Sequence, residues 1–209
     1  MKHFLFCFLC LIFCYTASAQ VAQNVPFVNG GVKTILRYNN NLYILGAFTV
    51  IGTDSNYNGI GLLDAHTSAP QAWNPAPNGA VSCMILQSGK LIVGGYFTTI
   101  AGQSRNGIAI FDAATGALDP MAPSVFNSVY ALCSDSNTIY CAGTSGNGLY
   151  IQNFDITTGA VSGWQSGQFL DPPTSIAKSG NYVYVGGTEM RSVSLYQSPE
   201  YDVMRFNAT

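Results

Sequence analysis

The sequence predicts an all-β fold: a β-propeller of four-stranded antiparallel blades, about four in number, forming a complete small ring or part of a larger propeller. Three observations predict it. A motif recurs about every 48 residues along the chain. Short apolar runs alternate with Gly/Asn/Ser turns. No stretch of ten or more residues carries a helical apolar period.

Composition supports a packed core. Charged residues make up 9% of the 209-residue chain, against about 25% in an average globular protein. Low charge goes with disorder only when hydrophobicity is also low. Here 48% of residues are hydrophobic, including 12 Tyr and 12 Phe, and 22 Gly supply turns. The formal charge is −2, with eight Lys plus Arg and no basic run. Nucleic-acid binding needs clustered cations, so it is not expected.

The repeat is clearest at a strand-ending glycine. Gly46, Gly95, Gly143 and Gly187 each follow an apolar run, at intervals of 49, 48 and 44 residues. Asn58-Gly59, Asn106-Gly107 and Asn147-Gly148 each precede a further apolar run. Asp64, Asp112 and Asp155 each end one, and Asp112-Ala113-Ala114-Thr115-Gly116 nearly duplicates Asp155-Ile156-Thr157-Thr158-Gly159. The Asp carboxylate is expected to accept backbone N–H bonds in the turn, with Gly at positive φ finishing it. Trp73 and Trp164 fall nine residues after their Asp, with Met121 in the equivalent place. They are expected to cover the seam between neighbouring units.

In the second unit the predicted strands are 81–86, 91–95, 107–112 and a short 116–119. The units span 32–75, 81–122, 129–165 and 174–207. Residues 25–28 are expected to close the ring as an extra strand of the last unit. In the fourth unit, 191–196 and 201–206 are expected as third and fourth strands. One such unit cannot bury both its faces alone, so the units must stack.

Residues 1–19 read as a cleavable signal peptide, with 20–209 as the repeat domain. Lys2 and His3 precede an apolar run, and Ala17-Ser18-Ala19 supplies a small-residue cleavage site before Gln20. The apolar run of 12 residues falls short of the ~20 a helix needs to span a bilayer. Lipidation at Cys14 is the competing reading, and the bulky Phe13 beside it argues against that. The expectation is a secreted or cell-surface protein with no transmembrane segment in the mature chain. Three cysteines leave with the signal; Cys83, Cys133 and Cys141 remain in apolar segments and read as small core residues. Cys133 and Cys141 flank a hairpin. Counting back from its turn sets Cys133 near Thr138 and Cys141 near Tyr130, rather than opposite each other.

The pattern Val93-Gly94-Gly95-Tyr96-Phe97-Thr98, Arg105-Asn106-Gly107, Asp112 with Thr115-Gly116, and Trp73-Asn74-Pro75 with Asn78-Gly79 resembles the delta-60 repeats of bacterial surface proteins. The resemblance covers residues 32–187 and fades in the third and fourth copies. It implies a β-propeller on an exported bacterial protein, and it implies no catalytic residues.

No His/Cys/Asp grouping has metal-ligand spacing, and His66 has no triad motif around it. Neither a metal nor a cofactor is expected. The Gly-rich 143–148 stretch lacks the Lys of a phosphate loop. Candidate surface binding residues are Tyr57 and Tyr96, set in or near connecting loops, and Arg105 and Arg191, which precede equivalent strands. The expected function is a non-catalytic extracytoplasmic binding or interaction module for a protein or glycan. The alternatives are a structural spacer in a longer surface protein and a propeller enzyme of the quinoprotein, hydrolase or lyase kind.

Overall fold

The computed structural model describes residues 26–146, 148–190 and 201–208. The predicted signal segment, Asn147, Arg191 and the expected strand 191–196 lie outside the described residues. Four main antiparallel sheets follow one another along the chain. Sheet I holds β1 (Gly31–Tyr38), β2 (Asn41–Ala47) and β5 (Ile60–Asp64), with the ribbon β3 (Val50–Ile51) and β4 (Asp54–Ser55) between the last two. Sheet II holds β6 (Val81–Gln87), β7 (Lys90–Gly95) and β10 (Ile108–Asp112), with the ribbon β8 (Thr99–Ile100) and β9 (Gln103–Ser104). Sheet III holds β11 (Ser128–Asp135), β12 (Thr138–Ser145), β13 (Gly148–Asp155) and β14 (Val161–Gln165). Sheet IV holds β15 (Ser175–Ser179), β16 (Tyr182–Met190) and β17 (Tyr201–Asn207).

The registers superpose the sheets residue by residue. Asn41 faces Asp64, Lys90 faces Asp112, Thr138 faces Asp155 and Tyr182 faces Asn207. Asn207 therefore stands where the other units carry Asp. Its follower behaves alike: the N–H groups of Ala65, Ala113, Ile156 and Ala208 donate at 2.8–2.9 Å to the carbonyls of Asn40, Gly89, Asn137 and Asn181. This corrects the expected fourth unit, since β17 pairs with β16 as a third strand. A second correction concerns the ring-closing strand: Val28 bridges Ile51 of its own unit. A third concerns the expected fourth strands. Among the described residues only sheet III has one, and in sheets I and II the segment shrinks to the bridges Leu63–Pro70 and Phe111–Leu118.

The turns follow their sequence chemistry. Ser88 and Gly89 both take positive φ (51° and 73°) in the two-residue turn closed by Gln87 and Lys90, as a primed hairpin turn requires. Asp112 Oδ1 accepts the N–H groups of Ala114 and Thr115 and the Thr115 hydroxyl. Asp64 does the same for His66 and Thr67, and Asp155 for Thr157 and Thr158. These bonds hold all three carboxyls below their ordinary value, Asp64 at about 2. Each native carboxylate binds its proton less readily than the unfolded one. The stabilisation is thus present above the unfolded pKa of about 3.9 and is lost as pH falls toward 2. The melting temperature should drop between pH 4 and pH 2, and less steeply in Asp112→Asn, as thermal scans across that range would show.

The core lies between the sheets. We call the face toward the next sheet in chain order leading, and the opposite face trailing. Tyr43, Leu45, Ile60 and Leu62 of sheet I meet Met84, Leu91, Val93 and Phe111 of sheet II. Ile92, Ile108 and Ile110 meet Leu132, Ile139, Cys141 and Phe154. Tyr140 and Ile151 meet Val183, Val185, Ile176 and Phe206. Each fully buried aliphatic or aromatic side chain contributes about 1.5–3 kcal/mol. A partly exposed ion pair such as Lys90–Asp119 contributes at most about 1 kcal/mol. Seam burial therefore dominates stability.

Trp73 closes the first seam. Its ring is edge-on to Tyr43 at 5.2 Å and to Phe111 at 5.4 Å, and its Nε1 donates to the Gly116 carbonyl at 2.8 Å. Met121 lies against Gly159, the equivalent glycine of the next unit. Trp164 is edge-on to Tyr140 at 6.1 Å and donates to the Asn207 carbonyl at 3.0 Å. The seam role expected for the tryptophans is what these contacts perform.

Candidate functional site

Three first strands carry a bulge at one position. The register skips between Val32 and Thr34, between Val81 and Cys83, and between Val129 and Ala131. The extra residues are Lys33, Ser82 and Tyr130. A bulge bends its strand and re-aims the extra side chain. The first strands of all four sheets line one cavity of about 250 Å³, to which Lys33, Ser82 and Tyr130 contribute along with Thr174 and Ser175. The four first strands thus converge on this channel-like cavity. Lys33 also lines a second, open cleft of about 740 Å³ between sheets I and II, walled by Gly46, Phe48, Asn58, Asn78 and Val81. Its size falls within the range of small-molecule sites, about 300–1,000 Å³.

Polar and aromatic groups converge at the bulges. Lys33 Nζ donates to the Ser82 carbonyl at 3.1 Å. Tyr96 is 48% exposed, with its ring edge-on to Tyr130 at 5.3 Å and 84°. The Thr144 hydroxyl donates to the Tyr130 hydroxyl at 3.0 Å. Burial, with the neighbouring Tyr130 adding to it, pushes the Tyr96 phenol above its ordinary value. It therefore stays protonated at neutral pH. The rim presents an ammonium, two phenols and two hydroxyls beside an apolar-walled cleft. Such a set is compatible with a binding surface.

The remaining candidate residues have other duties. Tyr57, expected at a loop surface, is buried; its ring packs in a cluster with Ile44, Phe48, Ile51 and Leu63. The Arg105 guanidinium, half buried, donates to the Ser104 carbonyl at 2.8 Å and the Asp119 carbonyl at 2.9 Å. It thus binds main chain, while Lys90 holds the Asp119 carboxylate. Arg191 lies outside the described residues. Of the three candidates among the described residues, Tyr96 stands at the rim. The glycines serve close approach: a Cβ on Gly46, Gly95 or Gly143 would overlap the carbonyl oxygen of Gly31, Ala80 or Ser128.

Cys83, Cys133 and Cys141 are free thiols. Cys133 pairs with Tyr140 and Cys141 with Leu132, so the hairpin turns one residue later than counting suggested. Cys141 packs into the seam between sheets II and III and Cys133 into that between III and IV. They point to opposite faces and cannot bridge. Cys83 lines the channel, but burial pushes its thiol up to about 12; at neutral pH it is no nucleophile. Among the described residues no group of three or more His, Cys, Asp or Glu could hold a metal ion, and no helix is long and apolar enough to cross a membrane.

The sequence reading missed Lys33, Ser82 and Tyr130. Their signal was available: each follows a valine of one repeat column (Val32, Val81, Val129). The column after that valine differs in every unit, within an otherwise shared pattern.

A family described as a domain of unknown function (DUF5122) β-propeller matches residues 86–120. No curated protein matches the chain. Among solved structures, the computationally designed Ika4 protein is similar with a TM-score of 0.59 at 13% identity, covering 89% of this chain and 96% of that one. The Pan2 WD40 domain of Neurospora crassa is similar with a TM-score of 0.51 at 14% identity, covering 85% of this chain and 48% of that one. At these identities the likeness is one of fold: several small antiparallel sheets in a propeller-like arrangement.

Proposed function

We propose that the protein is a non-catalytic binding module that works outside the cytoplasm, and that it holds a glycan or peptide at the bulge rim. One observation carries the proposal: three bulges aim three different side chains, Lys33, Ser82 and Tyr130, at one end of the channel beside the exposed Tyr96. Core duty does not call for this. A purely structural unit would repeat one residue there, as it does in the glycine and aspartate columns. The leader-like 1–19 segment and the delta-60 resemblance support export to the bacterial exterior. The rim chemistry suits hydroxyl-rich or amide-rich ligands, since aromatic rings stack on them and phenols and hydroxyls exchange hydrogen bonds with them.

The test is a glycan and peptide array probed with the secreted product, followed by calorimetry on the best ligand. A product starting at Gln20 is expected. Tyr96→Ala should weaken binding by about tenfold, the equivalent of 1.4 kcal/mol, without lowering the melting temperature. Affinity indifferent to Tyr96 and Lys33 substitutions would contradict the proposal. An array without any ligand would favour the spacer reading.

A further inference from the structure

The three seams inside the chain define what a covered sheet face looks like, and two faces fail that standard. On the leading side, Ile60, Ile108 and Ile151 occupy one register position and are at most 1% exposed. Their equivalent in sheet IV is Val203, which is 58% exposed. Arg205, exposed on the same face, stands where sheets I to III bury Leu62, Ile110 and Asn153. On the trailing side, Met84 and Leu132 are 4% and 7% exposed, yet their equivalent Ile35 in sheet I is 58% exposed. Val32 is likewise exposed where Val129 is fully buried. The leading face of sheet IV and the first-strand side of sheet I's trailing face, whose Ile44 and Leu63 are already buried with Phe48, Ile51 and Tyr57 of the same unit, are thus exposed parts of the same kind of seam.

These parts match each other by construction. Ile60 and Met84, the equivalents of Val203 and Ile35, share one buried cluster in the first seam. Ile108 and Leu132 share the second. Among the described residues the two faces do not seal, as the exposure of both Val203 and Ile35 shows. We propose that they seal between two copies of the chain. The leading face of sheet IV in each copy covers the trailing face of sheet I in the other, closing one ring from two sets of four sheets. The contact is head-to-tail, and it ends at two copies because both open faces of each are then used. It continues the established seam and needs no new kind of packing. Apolar residues left exposed in contiguous faces mark association sites.

The test is light scattering on the full secreted chain, with two opposed variants. Wild type should have twice the mass of one chain. Ile35→Lys and Val203→Glu should each give monomers, because each variant spoils both seams of its own dimer, raising the dissociation constant by about tenfold or more. Mixing the two variants should restore a dimer, since the mixed pair keeps one seam free of substitutions and sets Lys near Glu in the other. Restoration on mixing also shows that both variants fold. A monomeric wild type overturns the proposal. So does a dimer that ignores both substitutions, or variants that stay monomeric when mixed while keeping the wild-type circular dichroism spectrum. Val161→Glu, an exposed apolar position on β14 outside both faces, should leave the mass unchanged.

Discussion

Trp73→Ala should destabilise the protein by about 3 kcal/mol, the low end of the range for removing a packed tryptophan. The indole is half buried, which keeps the transfer contribution below that of a fully buried ring. It nonetheless makes two edge-on aromatic contacts, one to each side of the seam, and its N–H satisfies the Gly116 carbonyl. Removal opens a cavity lined by Tyr43 and Phe111 and leaves that carbonyl without the indole. Urea titration should show a lower midpoint with an unchanged slope. Trp73→Phe should recover part of the loss, since a ring returns without the hydrogen bond. A change below about 0.5 kcal/mol, typical of surface substitutions, would mean that the indole is not a seam element.

Gly95→Ala is expected to cost about 3 kcal/mol, at the upper end for overpacking, although it adds a single methyl. Its Cβ would overlap the Ala80 carbonyl oxygen and lie 2.9 Å from the Val81 Cα. Both obstacles are backbone, so no side chain can swing away. The glycine also sits where β7 donates to the Gly107 carbonyl at 2.9 Å, so displacing it disturbs the pairing of strand and loop. Gly31→Ala is the matched control, because a Cβ there meets nothing within 4 Å; it should change stability by less than about 0.5 kcal/mol. Equal effects at Gly95 and Gly31 would refute close approach as the reason for the repeated glycine.

Much of this architecture is legible in the residues because the same physical demand recurs in each unit. Asp112 and Asp155 cap identical turns, so their Asp-x-x-Thr-Gly pattern repeats. Trp73 and Trp164 sit at one distance from their Asp because each must reach across a seam. Legibility ends where the demand is met by unlike residues. In the fourth unit Asn207 stands where the others carry Asp, and Ala208 keeps the hydrogen bond that follows it; without the Asp, β17 reads as a fourth strand. Tyr57 and Arg105 occupy equivalent positions ahead of their Asn-Gly pairs, yet the tyrosine ring is buried with Ile44, Phe48, Ile51 and Leu63. That burial depends on packing across the sheet, which local sequence does not display. The bulges that aim Lys33, Ser82 and Tyr130 arise from register between strands, and nothing in a single strand announces them. The candidate site was therefore glimpsed only at Tyr96, its exposed edge.

The central claim is that consecutive sheets pack through a repeated aromatic seam, and a double-mutant cycle between Trp73 and Phe111 measures that seam most directly. Trp73→Ala, Phe111→Leu and the double variant are compared with wild type by urea unfolding. The geometry predicts a coupling of about 1 kcal/mol, as edge-on aromatic pairs give. A coupling within error of zero would contradict the packing of the first unit on the second, and with it the placement of the bulge rim at the end of a shared channel.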